Sequence, residues 1–145
     1  MKTRKIIATL FVLIAIVLGA ILFSKIAFPD TLDGYFKKAY YNQFGPMAIS
    51  VELLIAGIYL FRGHPKTNFV LALFAFTALL DPFFNLIGLF TSQVPFYAMV
   101  LFVICALVAL WLAFSNAFQL GRISFFAALG SFILGNAVEL FFNYF

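Results

Sequence analysis

The chain has 145 residues, 66% of them hydrophobic, and its 9 Lys+Arg against 5 Asp+Glu give a formal net charge of +4. Soluble domains are nearer half apolar and about a quarter charged, so a mean hydropathy of +1.13 leaves too little polar surface to face water. A soluble enzyme, a nucleic-acid binder, a disordered tail and a disulfide scaffold are thereby excluded, and an integral membrane protein is expected.

A helix crosses the bilayer in roughly 20 mainly apolar residues, since the hydrocarbon is about 30 Å thick and each residue rises about 1.5 Å. Five stretches meet that length, at about 6–28, 45–61, 68–90, 95–118 and 123–144. The first follows Lys2, Arg4 and Lys5 and has no charge before Lys25. Its length exceeds the roughly 7–15 residues of a signal-peptide core, and Ala20 and Ala27 have Leu18 and Lys25 two positions before them rather than small residues. A retained anchor is expected; cleavage would leave four helices. Pro46 and Pro95 fall where first helical turns tolerate a missing N–H. Gly63, Pro65 and Gly121 mark turns. Pro82, inside the third span, is expected to kink it or to free a carbonyl near Ala78. With no repeat, linker or low-complexity segment, residues 1–145 read as one all-α domain, a bundle of five transmembrane helices.

Between the first and second spans, Leu32, Tyr35, Phe36, Ala39 and Tyr40 fall near one helical face, which predicts a short amphipathic helix in the membrane interface. Anchoring is its simplest role. A lid is the alternative, with Lys37, Lys38 and Tyr40 as the residues that would close it or neutralise an acid. Orientation follows from Lys and Arg in short loops. Lys2, Arg4, Lys5, Arg62, Lys66 and Arg122 lie on one side, and Lys25, Lys37 and Lys38 on the other. The N-terminus is therefore expected in the cytoplasm and the C-terminus outside a cell or cytoplasmic membrane. Cys105 is mid-span and alone, so it forms no internal disulfide.

The acids carry the functional signal. Asp30 and Asp33 lie in the outer connection, but Glu52, Asp81 and Glu139 lie inside the second, third and fifth spans. An intramembrane acid costs about 2.5–3.5 kcal/mol on insertion scales and marks a functional site by default. On the expected topology all three fall in one layer, roughly 8–14 Å below the outer face. No basic residue lies inside the second to fifth spans. Thr77, Asp81 and Asn85 share a face of the third helix, and Asn136, Glu139 and Asn143 a face of the fifth, near Ser131 and Gly135. Glu52 is flanked by Ala48 and Ala56, small residues at interface spacing. Burial and neighbouring like charges disfavour ionisation, so at least one acid is expected to carry a proton.

These stripes predict an acid-lined polar cavity in the outer half of the bilayer. It would bind, and by extension transport, a cation or amphipathic small molecule with proton exchange. Glu52, Asp81 and Glu139 are the binding groups, and Asn85 and Asn136 their orienting partners. Two alternatives stand beside it. Polar residues also fasten membrane helices, at about 1 kcal/mol each, as in an accessory or assembly subunit; and paired carboxylates could move a proton on a lipid-like substrate. The partners expected are the bilayer and a small molecule, with a homo-oligomer or membrane partner protein left open and no nucleic acid. No cofactor, catalytic residue or metal ligand set is legible: His64 reads as a solvated turn residue, Asn116 and Gln119 as caps, and Trp111 as packing. No phosphate-binding loop, dinucleotide fingerprint or nucleophile elbow occurs.

Overall fold

Where no water reaches the backbone, an apolar segment must satisfy its own N–H and C=O groups, and a helix does so within one segment. The computed structural model describes residues 2–92, 94–116, 118 and 121–143, and these contain helices and turns but no strand. Five helices are long and apolar enough to cross a membrane. They are α1 (Lys2–Ser24), α3 (Gly45–Arg62), α4 (Thr67–Leu86), α5 (Phe96–Phe114) and α6 (Phe125–Asn143), with a single-turn helix α2 (Lys38–Tyr41) before α3.

The boundaries depart from the apolar runs where backbone bonding, rather than hydropathy, decides them. α1 already begins at Lys2, because charged residues continue a helix as readily as apolar ones. It ends at Ser24, whose hydroxyl donates to the Ile21 carbonyl at 2.6 Å. Lys25 comes next, with Nζ donating to the Tyr97 hydroxyl at 3.3 Å. α3 stops at Gly63, left-handed at φ 64°, where the His64 N–H reaches back to the Tyr59 carbonyl at 3.0 Å. α4 ends at Leu86 rather than near Phe90, since Gly88 (φ 83°) reverses the chain and the Leu89 N–H bonds the Phe84 carbonyl. The left-handed conformation suits glycine at both turns. α4 continues through Pro82, and Pro95 is the residue before α5 rather than its first turn. Asn116 does not cap α5: Ser115 is its C-cap, and the Asn116 Oδ1 accepts from the Gly121 N–H at 2.9 Å in the connection that follows. Gln119 and Tyr144, expected as a cap and a span end, lie outside the described residues. Trp111 does not pack inside the bundle; it is 56% exposed.

α4 is the central helix, packed against α3, α5 and α6, while α1 seats on α3 and only touches α5. Phe74 of α4 and Phe102 of α5 meet edge to face at 6.3 Å, both buried, beside Leu53, Leu60 and Leu71. Two seams are narrow. A Cβ at Gly57 would stand 2.8 Å from Val12 Cγ2 and 3.1 Å from the Ala8 carbonyl oxygen, so α1 and α3 approach that closely only over glycine. A Cβ at Gly135 of α6 would stand 3.1 Å from Thr77 Oγ1 of α4.

The outer connection is not one continuous amphipathic helix. It is a 3-10 turn (Leu32–Phe36), then α2, then a second 3-10 turn (Asn42–Phe44) that leads straight into α3. The break comes at Lys37, which is extended (φ −88°, ψ 148°) between the first 3-10 turn and α2; within that turn Gly34 packs so tightly on Pro29 that a Cβ would lie 2.4 Å from the proline ring. Tyr40 centres an aromatic group, 5.2 Å from Tyr35, 5.1 Å from Phe44 and 6.3 Å from Phe28. Gln43 ties the segment to α1's exit: its Oε1 accepts from the Ala27 N–H at 2.7 Å and its Nε2 donates to the Ala27 carbonyl at 3.0 Å.

Candidate functional site

The three helices that meet at α4's C-terminal half bring the intrahelical acids to one place. Glu139 is 1% exposed, Asp81 2% and Glu52 9%. The Asp81 and Glu139 carboxyls lie beside each other, close enough to interact directly. Glu52 lies beside the Thr77 hydroxyl and near enough to Glu139 for their charges to interact. Its Oε2 is buried with no hydrogen-bond partner.

Each side chain is placed by its own helix. α3 runs from Gly45 with Pro46 in its first turn, which turns Glu52 inward together with Ile49, Leu53 and Ala56. On α4, Thr77 and Asp81 repeat at one-turn spacing and are both buried. The Thr77 hydroxyl is 2.8 Å from the Leu73 carbonyl, to which it donates, and it also lies beside Glu52. On α6, Ser131, Gly135 and Glu139 form the buried line, and the absent side chain at Gly135 lets α6 close on Thr77.

Ser92, in the turn after α4, is a member of the site that sequence reading missed. Its hydroxyl donates to Asp81 Oδ2, and its oxygen accepts from the Val94 N–H at 3.1 Å. The one hint was its position in the short polar stretch Thr91-Ser92 directly after the span. Asn85 holds this turn rather than an acid: it is exposed, and its Oδ1 accepts from the Ser92 N–H at 3.0 Å. Asn136 is half-buried and donates to the Phe132 carbonyl of its own helix at 2.9 Å. The side chain of Asn143 lies outside the described ones.

Lys37, Lys38 and Tyr40, expected as the alternative lid, sit at the same end of the bundle, where α2 and the second 3-10 turn contact α6 and the Tyr41 ring lies tilted 6.5 Å from Phe141. Lys37 and Lys38 are exposed. Lys37 and Tyr40, with Gln43 and Pro29, border a recess of about 410 Å³ within the connection itself. Five recesses among the described residues have neither Glu52, Asp81 nor Glu139 in their linings, and all three carboxyls are buried. Nor do His, Cys, Asp and Glu residues assemble into a metal-holding group among the described residues. His64 behaves as a turn residue, its ring stacked on Tyr59 at 4.3 Å and its Nδ1 accepting from the Lys66 N–H.

Comparison with known proteins adds no identity: no family model matches the chain, and no curated protein or solved structure is similar to it.

Proposed function

We propose that this is a multi-pass membrane protein whose Glu52, Asp81 and Glu139 form a proton-exchanging site for a cation or an amphipathic small molecule, with the N-terminus in the cytoplasm and the C-terminus outside. The observation that supports this is the convergence of three buried carboxyls, Asp81 beside Glu139 with Glu52 close by, whose Oε2 has no partner. Burial and neighbouring like charges disfavour ionisation, so on this reading the cluster holds at least one exchangeable proton, and an arriving cation would take that proton's place as the neutralising charge. The membrane setting is supported by the five long apolar helices and by large apolar side chains exposed on each of them, among them Leu13, Ile58, Phe83, Leu107 and Phe132. With all three carboxyls buried, a ligand would enter by movement of α6, the helix least buried inside the bundle, which leans chiefly on α4.

Binding of tetraphenylphosphonium, a lipophilic cation, to the detergent-solubilised protein at several pH values tests the reading. Wild type should bind more strongly as pH rises and the competing proton is lost, and Glu52→Gln and Asp81→Asn should remove that dependence without unfolding the protein. Unchanged pH dependence in both variants would refute it.

One observation favours a second reading. That the three carboxyls are buried and line none of five recesses elsewhere among the described residues suits polar groups that simply fasten α3, α4 and α6 in an accessory subunit. On that reading the amide variants keep their stability, tetraphenylphosphonium is not bound at any pH, and mild purification brings down a stoichiometric membrane partner.

A further inference from the structure

The opposite end of the molecule, where α1 begins and α3 ends, joins an apolar groove to a basic rim. Thr9, Leu13, Ile58 and Phe61 border a recess of about 350 Å³ between α1 and α3, with Arg62 at its mouth. It adjoins, through Thr9, a recess of about 320 Å³ bordered by Lys2 and Lys5. Further along the same two helices, Ile16 and Val51 border a third recess of about 160 Å³. From Lys5 to Ile16 the axial rise is about 16 Å, close to the ~15 Å that one leaflet contributes to the hydrocarbon core.

The charges at this end are not balanced locally. The five acids of the chain are Asp30, Asp33, Glu52, Asp81 and Glu139, none of them in the first turns of α1 or the last turns of α3. Arg4 is committed to the fold: its Nη2 donates to the Phe61 carbonyl at 3.4 Å, where the end of α3 presents carbonyls to a cation, and a Cβ at Gly63 would stand 2.9 Å from its Nη1. Lys2, Lys5 and Arg62 are exposed on the rim. Lys5 Nζ lies 5.3 Å from the centre of the Phe61 ring, which itself borders the apolar groove. An orientation signal alone requires basic residues at this end; it does not require them at the mouth of an apolar groove of one leaflet's length.

We propose that this groove is a binding site for one anionic phospholipid, its phosphate on Lys5 and Arg62 with Lys2 beside them and its acyl chain along Leu13 and Ile58. Basic pockets between membrane helices take such head groups, and the aliphatic stems of Lys and Arg lie along apolar surface while their charges reach the head-group level. The inference needs the bilayer setting but not the carboxyl cluster, so either can fail without the other.

Thermal unfolding of the full-length protein in neutral detergent, titrated with phosphatidylglycerol, with phosphatidylcholine of the same chains or with inorganic phosphate, tests it. Phosphatidylglycerol should stabilise the wild type and phosphatidylcholine should not, and the apparent affinity should fall about fivefold for each of Lys5→Gln and Arg62→Gln. Lys37→Gln, at the other end, should leave it unchanged. Should the two rim variants fold poorly, the wild type alone decides, because its preference for phosphatidylglycerol should fade as salt is raised. Equal stabilisation by both lipids, equal loss in Lys37→Gln, an effect matched by inorganic phosphate, or a preference indifferent to salt would each overturn the proposal.

Discussion

At the α1–α3 seam, Gly57 lies against Ala8 and Val12, Gly19 lies against Ser50, and the Ser50 hydroxyl donates to the Ala15 carbonyl at 2.7 Å. At the α4–α6 seam, Gly135 lies against Thr77, and the Ser131 hydroxyl donates to the Ala128 carbonyl at 2.8 Å within its own helix. Both seams use small residues to bring backbones together, and both have a buried serine that gives its proton to a carbonyl. Further along the helices the two diverge. The first seam continues in apolar residues to its basic end, whereas the second continues into Asp81 and Glu139 and meets Glu52 from α3. If helix fastening were the whole requirement, the first seam shows that one hydroxyl and two glycines meet it. Three buried carboxyls exceed that requirement at a cost of about 2.5–3.5 kcal/mol each on insertion scales.

The largest expected effect tests the purely structural seam. Gly57→Leu would press a side chain onto the α1 backbone, which has no room to yield, and should cost about 3 kcal/mol or more, read as a large fall in unfolding temperature or loss of the monodisperse peak in size exclusion. A variant as stable as wild type would mean that α1 and α3 are not in close contact. Next, Asp81→Ala strips the Ser92 hydroxyl and the Glu139 carboxyl of a buried partner and should cost about 1–3 kcal/mol. Asp81→Asn, which still offers an oxygen to Ser92, should recover most of that stability while losing the proton-linked binding. If Asn restored the binding as well, an ionisable group would not be needed at this position.

The two seams can be contrasted more finely. Ser50→Ala should cost about 1 kcal/mol and leave tetraphenylphosphonium binding untouched, since it belongs to the seam without acids. Smallest of all is Asn136→Ala, expected within ~0.5 kcal/mol and silent in binding. Its amide bonds its own helix at Phe132, so a strong loss of binding would place it in the site after all.

Asn136 and Asn85 also mark how far sequence could reach. Hydropathy located all five apolar helices, because about 20 apolar residues have few alternatives to a spanning helix. It misjudged their ends at Lys2 and Leu86, where hydrogen bonds and a left-handed glycine decide instead. The acid stripes were legible because one-turn spacing fixes a face. The same spacing does not say whether an amide turns to the neighbouring helix, to its own backbone or to the next loop, and the two asparagines take the latter two courses. Ser92 was illegible for the converse reason: its place beside Asp81 depends on the Gly88 turn folding the loop back over α4, which no periodicity encodes. The interfacial helix was read from the spacing of Tyr35, Phe36 and Tyr40. Lys37, extended at φ −88° and ψ 148°, breaks it into turns, a local backbone conformation that side-chain periodicity does not encode.

The central claim is that the Asp81–Glu139 pair holds a proton which a bound cation displaces. Infrared difference spectroscopy on the reconstituted protein, before and after addition of tetraphenylphosphonium, observes that proton directly through the C=O stretch of a protonated carboxyl. Wild type should lose a protonated-carboxyl band on binding and gain carboxylate absorption, and both changes should be missing in Asp81→Asn. A protonated-carboxyl band that persists unchanged with the cation bound, or the same difference spectrum in Asp81→Asn, would contradict the account.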